Sequence, residues 1–172
     1  MNLPVTEGWR TLLWNQYGAA IDTLENAIRA CPEDLWGNPT RMPFWYAAYH
    51  TLFWLDLYLS GAIEGFVPPP PYGLEELDPA GVLPPRVYAK EELLQYLEHC
   101  REKAFAAMGA LNEASASRTC RIGRGEGTYV ELLLYTMRHV QHHSAQLNLI
   151  LRETIDSAPG WVSRAKRHAV AP

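Results

Sequence analysis

The sequence has little cysteine and no cysteine pattern. Cys31, Cys100 and Cys120 are the only three, an odd number with no CxxC pair. That excludes a disulfide framework and predicts a reducing, cytoplasmic compartment. Charge is also sparse: charged residues make up 20% of the chain, and 15 Lys and Arg against 19 Asp and Glu leave a net charge of −4. With no basic excess, a nucleic-acid binder is not expected. Residues Met1 to Glu7 lack the basic and apolar regions of a signal peptide. Only one stretch, Phe44 to Ile63, is long enough for a membrane span, and it carries His50 and Asp56 in its interior. An Asp near the centre of a span costs about 2.5–3.5 kcal/mol, so this stretch is expected to be a buried helix of a soluble protein, with no membrane partner. Strand-like alternation of comparable length is missing as well.

What the chain does have is apolar residues in helical register. Hydrophobic residues are 48% of its 172 positions. That is enough for one domain, 1–172, with a substantial core, and too much for disorder. Four stretches follow the helical period. The first runs from about Thr6 to Ala30, with Trp9, Leu12, Leu13, Leu24, Ile28 and Cys31 as its apolar face, and stops at Pro32. The second runs from about Phe44 to Ser60, apolar nearly all round, with Gly61 beyond it. In the third, Ala89 to Leu111, the stripe is Leu93, Leu97, Cys100, Ala104, Ala107 and Leu111. The fourth, Thr128 to Leu151, opens on a T-x-x-E capping box, Thr128-Tyr129-Val130-Glu131. The expected fold is all-α: a four-helix bundle with a long proline-rich crossover between helices two and three. That crossover, Gly61 to Tyr88, holds Pro68 to Pro71, Pro79, Pro84 and Pro85 among the chain's 13 prolines. Being stiff and extended, it can carry the chain along the bundle, so helices two and three need not be antiparallel neighbours.

Histidine placement is the main functional signal. His139 and His143 stand one turn apart on the fourth helix, on the face that also carries Leu132, Gln146 and Ile150. His50 sits in the middle of the most apolar helix, beside Tyr46, Trp54 and Leu57. A lone core histidine is usually just hydrogen-bonded, but three imidazoles buried together without partners would be costly. One divalent ion satisfies all three, and bundles build metal sites in this way. His142 falls about 60° off the line of the pair and reads as flanking. Other metal patterns fail. No histidine has Glu three residues before it, as a di-iron bundle requires. Val140 stands where HExxH would place its base. No cysteine is placed to complete a structural zinc site.

These residues resemble the DinB-like (DinB/YfiT) family of metal-dependent enzymes. The likeness rests on His50 in Tyr46-Ala47-Ala48-Tyr49-His50 and on the segment from His139 to Leu147. The family form of that segment is close to HxxxHRGQL. His139, His143, Gln146 and Leu147 match it, while Ser144-Ala145 replaces Arg-Gly. The resemblance implies a four-helix bundle with the long crossover, and nickel or zinc bound by one histidine of helix two and two of helix four. It also implies a mixed range of activities, among them thiol S-transfer and maleylpyruvate isomerisation.

Three neutral histidines leave a coordination position open, the mark of a catalytic rather than a structural site. With no carboxylate base visible, direct binding of a low-molecular-weight thiol is the simplest chemistry. Tyr46, Trp54, Tyr135 and the proline-rich loop are expected to shape the pocket. No catalytic residue beyond the metal ligands is identified. The alternative is a non-catalytic bundle that uses its apolar surface to form a homodimer. Gly123-Arg124-Gly125-Glu126-Gly127 reads as a flexible loop, the aromatic residues as core, and Arg164, Lys166 and Arg167 as a solvated end.

Overall fold

The computed structural model describes residues 5–39, 42–122 and 125–166. The protein is all-α apart from one small hairpin, with elements α1 (Glu7–Ala30), α2 (Glu33–Trp36), α3 (Phe44–Ser60), α4 (Lys90–Gly109), α5 (Glu113–Ser117), β1 (Thr119–Ile122), β2 (Gly125–Thr128) and α6 (Tyr129–Ile155). The four long helices fall where the periodicity puts them, and local chemistry sets their ends. Thr6 Oγ1 accepts from Trp9 N and caps α1. Gly61, at φ 73°, ends α3 in the left-handed conformation that glycine adopts freely. The capping box of α6 forms as predicted: Glu131 N donates to Thr128 Oγ1 and Thr128 N to Glu131 Oε2. This helix runs one turn past the expected Leu151.

Each long helix packs on two others: α3 on α6 and α4, and α1 on the same two. Directions follow from side-chain contacts. Arg10 meets the Leu111 carbonyl at one end of the α1–α4 pair and Lys90 meets the Cys31 carbonyl at the other, so these two run antiparallel. Tyr129 Oη donates to the Leu59 carbonyl while His50 lies against His143, so α3 and α6 are antiparallel too. Cys100 reaches the Leu52 carbonyl and Lys103 reaches Asp56 and Ser60, one turn further along each helix. So α3 and α4 run in the same direction. They are neighbours, and residues 61–89 bring the chain back from the end of one to the start of the other.

Aromatic rings seat that return segment. Tyr72 stacks on Tyr96 with centroids 4.2 Å apart and donates to the Glu92 carbonyl. Tyr88 packs on Tyr49, and its carbonyl accepts from Trp36. The aromatic load is mainly core, as expected: Tyr17, Tyr49, Phe53, Tyr88 and Tyr96 are almost fully enclosed. Asp56, which spoke against a membrane span, is buried and bound by Lys103 Nζ and Tyr96 Oη. Among the described residues no helix is long and apolar enough to cross a membrane.

Three expectations are corrected. Trp9 and Leu12 are about half exposed. Trp9 lies in the first turn of α1, before Arg10 meets the end of α4, and Leu12 points about 100° from Leu13. Tyr17, Ala20, Ile21 and Ala27 fill the face instead. The stretch before α6 is no simple loop: α5 is followed by an antiparallel hairpin pairing Thr119 with Thr128 and Arg121 with Glu126. Gly123 and Arg124 lie outside the described residues. The chain end is not wholly solvated either. Ala165 N donates to the Asn15 carbonyl and Lys166 N to Asp22 Oδ2, which holds the segment along α1; Arg167 is outside the described residues.

Candidate metal centre

His50 on α3 and His139 and His143 on α6 come together. Each offers a ring nitrogen, and the three nitrogens lie within 4.8 Å of one another. The antiparallel packing of α3 on α6 sets His50 against the two α6 rings, with centroids 5.4 Å from His139 and 4.9 Å from His143. The one-turn spacing on α6 brings His139 Nε2 within 3.1 Å of His143 Nε2. Two nitrogens on one tetrahedral ion, at about 2.0–2.1 Å each, would lie about 3.3–3.4 Å apart. The observed separation is close to that.

Outer partners fix which nitrogen is free on two of the rings, His50 and His143. His50 Nδ1 lies 2.6 Å from Glu76 Oε2, which also accepts from Trp54 Nε1 at 2.9 Å. His143 Nδ1 lies 2.8 Å from Gln146 Oε1. Both rings therefore carry the proton on Nδ1 and present an Nε2 lone pair, the tautomer that ligating histidines adopt. His139 is the incomplete member. Its Nδ1 is buried with no hydrogen-bond partner among the described residues, and its Nε2 faces only His143. The three rings leave this Nδ1 unsatisfied, and a divalent cation fits the set.

The electrostatics agree. Burial first, then the neighbouring His143 and His50, push His139 down to about 3. Burial and His50 lower His143 to about 4. Both rings are thus neutral at pH 7, as metal binding requires. Burial opposes ionisation of Glu76, but the His50 and Trp54 contacts outweigh it and hold the carboxyl below its usual range. Burial, then Glu76, raise the Tyr46 phenol to about 12.

His142 is exposed, its ring 5.0 Å from that of His143, and is not in the cluster. His99 lies elsewhere, 3.4 Å from Asp56. The expected pocket residues are all near the cluster. Tyr46 flanks His50. Trp54 lines a cavity of about 450 Å³ together with Tyr58, Glu76 and Leu77. Tyr135 lines a shallower groove that reaches His139. Ser144, which replaces the arginine of the family segment, is fully buried and donates to the Val140 carbonyl. Leu147 is likewise fully enclosed.

Glu76 is the residue that sequence reasoning missed. It lies in a single 3-10 turn of the return segment, Glu75–Leu77. An acid in a proline-rich loop has no periodicity to place it. The one available signal was that the loop is long and must pass α3.

A helical protein with an inward cluster of three histidines, two of them backed by hydrogen-bonded outer partners, carries a set of ligand atoms that could hold a divalent cation. The sequence profile of the DinB superfamily matches residues 16–147, a span that includes all three histidines, and the chain belongs to that superfamily. No curated protein and no solved structure matches it.

Proposed function

We propose that the chain is a metal-dependent enzyme of the DinB superfamily, folded as one four-helix bundle over residues 1–172. In this reading the proline-rich segment is the crossover between the second and third long helices. His50, His139 and His143 ligate one divalent ion, nickel or zinc. The observation that carries the reading is the convergence of three imidazoles, two of them backed by Glu76 and Gln146 so that Nε2 is presented. When bound, the ion supplies Lewis acidity that lowers the pKa of a thiol or water and makes it a nucleophile at neutral pH.

The residues around it have separate tasks. Glu76 and Gln146 hold the ring orientations of His50 and His143. Trp54, Tyr58 and Tyr135 shield the site from bulk water and line the approach for a second substrate. Glu76 is a poor base: its Oε2 is engaged by His50 and Trp54, and these contacts hold the carboxyl below its usual range, although its Oε1 has no partner among the described residues. A small thiol that needs no protein base is therefore the favoured cosubstrate, and S-transfer the favoured reaction type. The three buried free thiols suit a reducing cytoplasm. The competing reading is a non-catalytic homodimer, favoured by the exposure of Trp9 and Leu12 on α1.

Elemental analysis of untagged protein, paired with a thiol-transfer screen, tests the proposal. The expected result is one ion per chain, lost in His50→Ala, His139→Ala or His143→Ala and kept in His99→Ala and His142→Ala. A second ligand replacement should add little to the first. Metal well below one per chain, with a melting temperature unmoved by chelation, sinks the enzyme reading and supports the dimer.

A further inference from the structure

We infer that the cavity beside the histidine cluster binds an organic carboxylate through Arg121. The inference rests on the metal-centre reading only in making that ligand the second substrate. At about 450 Å³ the cavity has the size of a small-molecule site. Trp54 and Tyr58 tie it to the histidines. Trp54 Nε1 donates to the same Glu76 oxygen that holds His50, and the Tyr58 ring stands edge-on to His139 with centroids 6.4 Å apart. A ligand here lies one layer of side chains from the imidazoles.

Arg121 comes to this cavity from strand β1. Its cross-strand neighbour is Glu126, an acid placed to pair with it on the hairpin. Among the described residues Arg121 nonetheless makes no ion pair or hydrogen bond. Arg29 and Arg86 are engaged with carboxylates, Arg101 with three of them and Arg10 with a carbonyl, whereas the exposed Arg138, Arg152 and Arg164 share with Arg121 the lack of an ion pair among the described residues but do not line this cavity. The two acids of the cavity wall do not claim it. Glu76 serves His50 and Trp54, and Asp78 accepts from Ala80 N. Arg121 is the one cation in the described lining, with its planar fork of donors open. A carboxylate accepts two such donors side by side. The walls beside it are apolar and aromatic, Leu57, Leu132, Trp54 and Tyr58, and suit a ligand with a hydrocarbon or aromatic body.

The test uses the full chain, metal-free and metal-loaded, with 3-phenylpropionate and its neutral amide, 3-phenylpropionamide, as calorimetric probes. A charged hydrogen-bonded pair is worth about 1.5–3 kcal/mol, so the carboxylate is expected to bind the metal-free chain at least about tenfold more tightly than the amide. Arg121→Gln, at an exposed strand position, should abolish that preference and leave amide binding unchanged. Arg138→Gln, on the groove at His139, should keep the preference. Survival of the preference in Arg121→Gln overturns the inference, as does failure of both probes to bind. A preference seen only in metal-loaded protein also overturns it, because the carboxylate is then on the ion, and in that case the metal reading stands. A preference that depends on Arg121 in a chain that takes up no ion keeps the inference and sinks the metal reading.

Discussion

Two of the buried polar clusters among the described residues are built on opposite principles. Between α1 and α4, Arg101 is held by Asp22 and Glu25, with Glu98 at its edge. Lys166 N closes the remaining Asp22 oxygen. Between α3 and α6, three imidazoles meet one another, and one buried nitrogen is left unpartnered. The first cluster contains both signs of charge and satisfies itself. The second contains one kind of group, imidazole, and does not satisfy itself: a buried nitrogen of His139 has no partner among the described residues. Burial is shared by both clusters, so it does not distinguish a structural site from a binding site. The balance of donors and acceptors does.

The comparison breaks most visibly at Arg101. Replacing it with Met leaves Asp22 buried without its cation, and loss of one partner of a buried pair costs about 3–5 kcal/mol. Denaturant unfolding should show that loss, while metal stoichiometry of the folded fraction stays at the wild-type value. Loss of metal in a still-folded Arg101→Met chain would show that the two clusters are coupled.

A smaller effect is expected at Glu76. Glu76→Gln keeps the shape but removes the charge behind His50, and outer partners of this kind are worth about 10–100-fold in metal affinity. A competition titration with a chelator measures it. Unchanged affinity would make Glu76 a loop anchor only.

A third effect concerns acid. His139 and His143 sit at about 3 and 4 in the fold, against about 6.5 in the unfolded chain. Between those values the unfolded state binds more protons, so stability rises with pH across the window. The melting temperature of metal-free protein should therefore fall as pH drops below about 6.5 and level off near 3. His139→Ala with His143→Ala should flatten that slope, whereas Arg101→Met should leave it in place.

How far each cluster could be read from the sequence follows the same division. His139 and His143 share a helix and one turn of spacing, and His50 is the lone imidazole on an apolar helix, so residue type and period place all three. Arg101 interrupts the α4 stripe between Cys100 and Ala104, and the two acids that bury with it, Asp22 and Glu25, lie on a helix far upstream. Nothing local says that a charge there turns inward. Glu76 depends on the path of a loop, which Tyr72 and Tyr88 fix by packing on rings of α3 and α4. The hairpin strands span four residues each, too short for alternation to show. Buried positions on α1 were misplaced at its start because period gives a face but not where neighbouring helices end.

The same-direction pairing of α3 and α4 also has a kinetic side. The chain must complete its return segment, build α4 and pass the hairpin before α6 can bring two histidines to the one already on α3. A nascent chain that has made only α1 to α4 carries His50 with Glu76 but no second ligand. Isolated α6 carries an i, i+4 pair and no third. Closing so long a loop adds little to the entropic cost, which grows only with the logarithm of its length, but it fixes the order of events. On the proposed metal reading, ion capture would be the last step of assembly, made by a chain already folded, and metal supplied after synthesis should load it as fully as metal present throughout.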